Sequence, residues 1–175
     1  PFSAMMIRNV HRLILKNVDE ENAGAWRSFN VAISGARHVP PEAFLVPGQM
    51  DAFVQWHETT GATLHPVERA ARTHVDFVKI HPFMDGNGRT ARLLMNLDLM
   101  CAGFPAIVLP VERRLEYYEA LDTAHVEGDY GPFLTMLGEL AAKAFEVYFR
   151  AMEPETGRKG DRKSTRLNSS HTSVS

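Results

Sequence analysis

The stretch Arg89–Cys101 carries Ala91, Leu93, Leu94, Met95, Leu97, Leu99, Met100 and Cys101, with Asp98 its only charge after Arg92. Wound as a helix it is apolar nearly all round, and such a helix is stable only where neighbours cover it on most sides. The sequence therefore predicts a buried helix at the centre of the domain, closed by Gly103. Cys101, the single cysteine, reads as a small buried hydrophobe. It cannot form an intrachain disulfide, which fits a reducing compartment and a cytoplasmic location.

Other helices follow from apolar stripes at spacings of three and four. Val67, Ala70, Ala71, Val75 and Val78 predict a helix over 66–80 with Pro66 in its opening turn. Met50, Phe53, Val54 and His57 predict one over 47–58, and Tyr117, Ala120, Leu121 and Ala124 one over 111–126. Phe133, Leu137, Leu140, Ala144 and Tyr148 predict one over 132–151. The expected fold class is all-α.

One segment departs from that period. Phe29, Val31 and Ile33 alternate with Asn30, Ala32 and Ser34, and Ser34-Gly35 supplies a turn before Ala36–Val39 returns, which predicts a small β-hairpin. Pro40 and Pro41 then remove donors and leave a short exposed edge, a place where a partner strand can add.

The net charge of −2 gives no whole-molecule attraction to nucleic acid or anionic lipid, so an anion site must be local. The weakly charged run 93–111 is broken by Gly103, Pro105 and Pro110 and is no membrane span. Residues 1–19 read as a partial N-terminal helix of a truncated chain, 20–152 as the folded domain and 153–175 as a disordered tail. Within that tail, Asp161–Ser175 resembles a translated sequencing adapter and is set aside as an artefact.

The chemistry concentrates in His81-Pro82-Phe83-Met84-Asp85-Gly86-Asn87-Gly88-Arg89-Thr90-Ala91-Arg92. Gly86 and Gly88 around Asn87 free the backbone to turn its N–H groups inward, beside the positive end of the next helix. That is an anion nest. Arg89 and Arg92, three residues apart in the first helical turn, share a face and can reach successive phosphates. Asp85 is a hard oxygen ligand suited to Mg²⁺. His81, with an ordinary pKa of about 6.5, is the candidate base, and Phe83 is expected to pack inward and fix the loop. A calcium loop is excluded, because that alignment puts Phe83 and Leu94 at ligand positions one and twelve. Zinc is rejected too: His57, His65, His74 and His81 are spread over several elements with no cysteine pair, and His74 reads as a core histidine.

The string His81–Arg92 resembles the signature of the Fic (Fido) family of nucleotidyltransferases, His-Pro-Phe-x-Asp-Gly-Asn-Gly-Arg-x-x-Arg, with every fixed position filled. The resemblance extends to Trp26-Arg27, Ile33-Ser34-Gly35, His38-Val39-Pro40-Pro41, His65-Pro66, Ala102-Gly103-Phe104-Pro105, Tyr117-Tyr118 and Glu127-Gly128-Asp129. It implies a Fic-type helical bundle with a hairpin flap, and transfer of AMP from ATP to a Ser, Thr or Tyr hydroxyl of a protein, releasing pyrophosphate. By the same resemblance His81 is the base, Asp85 the Mg²⁺ ligand, and Gly86, Asn87, Gly88, Arg89 and Arg92 the nucleotide contacts. Ile33, Ser34 and Gly35 belong to the flap that holds the target by strand addition.

Relatives commonly carry Asn lining the adenine pocket where this chain has His125. The string Thr123–Gly128 also matches the pattern of an autoinhibitory helix, but it is read as core fold. Expected partners are a protein bearing the acceptor hydroxyl and a second copy of the chain as a homodimer, without nucleic acid or membrane contact. De-AMPylation, another phosphodiester or phosphoryl transfer as in the Doc branch, and a non-catalytic nucleotide-binding module stay open alternatives.

Overall fold

The computed structural model describes residues 1–152. The expectations for the tail, 153–175, lie outside the described residues. Six α-helices account for the fold: α1 (Ala4–Leu15), α2 (Val46–Glu58), α3 (Pro66–Ile80), α4 (Asn87–Cys101), α5 (Arg114–Glu127) and α6 (Gly131–Met152), with short 3₁₀ turns between some of them. No described helix is long and apolar enough to cross a membrane.

Helices α3 and α4 pair along their length, joined by residues 81–86. Helix α1 lies on α4 and touches α2, and α2, α5 and α6 each pack on α3. Phe77, Phe83, Leu94, Met95, Leu99, Phe133 and Leu137 are fully enclosed where these faces meet. Helix α3 begins at Pro66 with the His65 ring accepting from the Val67 N–H at 3.3 Å, which satisfies one of the open donors of its first turn.

Asp98 is a buried carboxylate in the middle of the core. It accepts from His57 Nε2 and from Thr73 Oγ1, each at 2.7 Å, with Arg69 Nε 3.5 Å away, so that one side chain ties α2 and α3 to α4. A buried charge persists only when its lone pairs are met in this way. His74, expected in the core, is fully buried with Nε2 on the Tyr117 hydroxyl at 2.9 Å. His57, His65, His74 and His81 thus occupy four separate environments.

Three expectations need correction. Helix α4 is not covered all round: Ala91, Leu94, Met95, Asp98 and Leu99 face the core, while Leu93, Leu97 and Met100 lie on an exposed stripe. Cys101, one helical turn on from Leu97, belongs to that open side and is exposed.

The third concerns the hairpin, since no strand occurs among the described residues. The turn is there, closed by Ala36 N–H on the Ile33 carbonyl at 3.2 Å, but the arms do not pair. Their polar groups are bonded elsewhere: Asn30 Oδ1 accepts from the Ala43 N–H, the Arg37 N–H meets Asp122, and His38 Nε2 meets the Lys79 carbonyl. The result is an extended flap over 28–42.

Burial pushes the His74 imidazole down to about 3 and His125 down to about 4. Above pH 6.5 both are neutral in the folded and the unfolded chain, and stability is fully present. As the pH falls below 6.5 the unfolded chain takes up protons that the folded one refuses, so stability is lost at up to about 1.4 kcal/mol per pH unit for each histidine. The urea midpoint should accordingly fall between pH 7 and pH 5.5; a midpoint that does not move would contradict the burial of these neutral rings.

Candidate functional site

The site is the turn from α3 into α4. His81 ends α3 in the left-handed conformation (φ 52), an uncommon one for a residue with a side chain, and this swings the chain out of the helix. Its Nδ1 lies 3.3 Å from the Val78 carbonyl, which selects the tautomer with the proton on Nδ1 and leaves Nε2 as an acceptor. Burial holds this imidazole below its ordinary pKa, and the nearby charges of Arg27 and His38 act the same way, against the hydrogen bond to the Val78 carbonyl and a smaller opposing effect of Asp85. At neutral pH His81 is therefore uncharged and able to accept a proton.

From His81 the loop is fixed by Phe83, fully buried with its ring stacked on His11 at 3.5 Å between centroids and tilted against Trp26. The Asn87 side chain holds the same residue from the other side: Oδ1 accepts from the Phe83 N–H at 2.9 Å, and Nδ2 donates to the Phe83 carbonyl at 2.8 Å. Asn87 is thus an internal brace, and only its main chain faces the nest.

Gly86 (φ 78) turns the backbone into α4, whose first bond runs from the Thr90 N–H to the Gly86 carbonyl at 2.9 Å. The N–H groups of Asn87, Gly88 and Arg89 precede that bond and have no partner within the helix, as at any helix start. The helix dipole adds partial positive charge at this point.

Both arginines stand at that end. Arg89 Nη2 donates to Asp85 Oδ2 at 2.8 Å in an exposed pair, of a kind that contributes only about 0–1 kcal/mol and can re-form around a ligand. The Arg92 guanidinium reaches back over Gly88, within 3.4 Å of where a Cβ on that glycine would stand. Arg92 also lies beside the Tyr117 hydroxyl, which burial pushes up to about 12.

Sequence reasoning missed His11. Its ring is fully buried; Nδ1 accepts from the Gly24 N–H at 2.8 Å, and Nε2 meets the Asp85 carbonyl at 2.9 Å. With Nδ1 an acceptor, Nε2 carries the proton and donates, so α1 clamps the loop between Phe83 and Gly86. The spacing of Ile7, His11 and Leu15 on one face of α1 is the signal that could have placed it inward.

Of the other expected positions, Ser34 and Gly35 form the exposed tip of the flap with Ile33 half-buried before them. His125 is buried against α3, its Nε2 on the Val75 carbonyl at 2.9 Å and its ring 5.0 Å from His38 of the flap. Glu127, the glutamate of the Thr123–Gly128 string, pairs with Arg37 at 3.2 Å and not with Arg92.

Comparison with known proteins gives a consistent picture. The Fic/DOC family model matches residues 1–99. The protein adenylyltransferase fic-1 of Caenorhabditis briggsae is 40% identical over 152 residues, covering 86% of this chain and 29% of that protein. The protein adenylyltransferase Fic of Drosophila melanogaster is 40% identical over 146 residues, covering 83% of this chain and 29% of its own length. Among solved structures, Fic-1 (residues 134–508) of Caenorhabditis elegans superposes with a TM-score of 0.78 at 39% identity, over 86% of this chain and 44% of that one. The chain spans less than a third of the length of the curated relatives it matches.

The clamp on the loop is testable at Gly86, where a Cβ would add strain at positive φ and lie 3.1 Å from His11 Nε2. Gly86→Ala should lose about 1–3 kcal/mol of stability and weaken pyrophosphate binding. Unchanged urea denaturation together with unchanged pyrophosphate affinity would contradict the packing of α1 on the nest.

Proposed function

This chain belongs to the Fic/DOC family, and from that premise we propose that it is a protein adenylyltransferase, moving AMP from ATP to a Ser, Thr or Tyr hydroxyl. One observation carries the reading: a neutral His81, with Nε2 free to accept, shares one turn with an open helix N-terminus and two arginines. A binding module has no use for a base there.

In the proposed reaction His81 Nε2 takes the proton of the acceptor hydroxyl as its oxygen bonds to the α-phosphorus. The bond from that phosphorus to the bridging oxygen breaks, and pyrophosphate leaves. The N–H groups of Asn87, Gly88 and Arg89 and the guanidinium groups of Arg89 and Arg92 meet the charge that gathers on the leaving group. Main-chain groups around Ile33, Ser34 and Gly35 hold the target in extended form.

Asp85 would hold Mg²⁺. Its side chain is 72% exposed, and among the described residues no cluster of three or more His, Cys, Asp or Glu exists. That donor set suits an ion that takes one carboxylate and draws its other ligands from phosphate and water. The ion would neutralise phosphate charge.

His81→Ala should lower transfer by about 10²–10⁴-fold while ATP affinity stays unchanged, because the nest is untouched. Transfer by this variant at the wild-type rate would overturn the assignment. Arg92→Ala should cost ATP binding about 1.5–3 kcal/mol and AMP binding far less; equal losses in calorimetry would remove Arg92 from the terminal phosphates.

A further inference from the structure

Arg27 is 3% exposed, and among the described residues no carboxylate pairs with it. Burying a guanidinium is costly unless its donors are met. Here every acceptor is a main-chain carbonyl: Nε donates to His81 at 2.8 Å, Nη1 to Phe29 at 2.9 Å and Nη2 to Pro41. Its own N–H donates to the Pro82 carbonyl at 2.9 Å. Phe29 and Pro41 lie at the two ends of the extended flap, and His81 and Pro82 open the site loop.

We propose that Arg27 is the positioning residue that sets the flap, and with it the acceptor hydroxyl, in register with the His81 base. The inference rests on the transfer reading above. Its geometry explains how a flap without a paired ladder keeps its place: one planar fork spans three carbonyls belonging to two segments that do not otherwise pair. His38 ties the flap to the last turn of α3 at the Lys79 carbonyl, but among the described residues no side chain besides Arg27 bonds both the flap and the loop that His81 opens. A lysine in the same place carries the charge but concentrates its donors on one atom, and cannot span that fork. The charge has a second consequence: after burial, which acts most, it joins His38 in disfavouring the protonated form of His81, against the Val78 hydrogen bond and the pull of Asp85.

The test uses the whole chain with Arg27→Met and Arg27→Lys. For each, imidazole titration and flap amide relaxation are followed by NMR without nucleotide, followed by ATP affinity and transfer kinetics. Both variants should bind ATP within about threefold of wild type, because the nest is untouched, and should lose about 10²-fold in kcat for transfer with little change in KM for ATP, the scale set by misplacing reacting groups. Residues 31–36 should become more mobile in both. The His81 midpoint should rise in Arg27→Met and stay near wild type in Arg27→Lys. Wild-type kcat in folded Arg27→Lys, or parallel loss of ATP binding and transfer, would overturn the proposal. If Arg27→Met does not fold, Arg27→Lys alone decides. Should the wild-type chain transfer no AMP, the reading of function fails, while an unchanged flap and an unchanged His81 midpoint in Arg27→Met would fail the positioning role independently.

Discussion

Burial of Phe83 sets the geometry on which the site depends. A loop as polar and glycine-rich as His81–Gly88 has little reason to hold one shape in water, and the loss of its conformational freedom must be offset by contacts. Phe83 supplies them by inserting its ring among His11, Trp26 and Phe77. Asn87 then satisfies the Phe83 N–H and carbonyl, which would otherwise be buried without partners. With that residue pinned, the backbone on one side presents His81 and on the other enters α4 with its donors open. The pairing of α3 with α4 keeps the two ends of the loop together.

Electrostatics at the site are local. The chain as a whole is slightly acidic, yet the start of α4 gathers a helix dipole, open N–H groups and two arginines, with Arg27 buried behind them. Burial, with Arg27 and His38 adding to it, disfavours a charged His81, so anion binding and proton acceptance are compatible in one turn of chain. The Asp85 carboxylate is exposed and, among the described residues, paired with Arg89 alone, and is therefore available to a cation that arrives with phosphate.

Much of this was legible in the sequence, for definite reasons. Helix α3 could be read to its ends because Pro66 and the spacing of Val67, Ala70, Ala71, Val75 and Val78 admit no other period. Helix α4 could be located but not oriented: a stretch apolar nearly all round does not say which side is left open, and so Leu93 and Cys101 were placed inside when they lie outside. Alternation at Phe29, Val31 and Ile33 marks extended chain, but pairing depends on where the donors go, and Asn30, Arg37 and His38 bond away from the opposite arm. What His11 and Arg27 bond to was out of reach for another reason. Their partners Asp85 and His81 lie far along the chain, and a single His or Arg carries no spacing that points to them.

Which phosphate moves decides between transfer of AMP and every other reaction open to this site. Protein from a cell lysate incubated with the chain and Mg²⁺, using ATP labelled at the α-phosphate in one reaction and at the γ-phosphate in another, separates the possibilities directly. Above a lysate incubated without the chain, the geometry predicts added label on protein from the α-phosphate alone, with a mass increase of AMP less one water on a hydroxyl side chain. Label that the chain adds from the γ-phosphate, or no added label from either nucleotide, would contradict it.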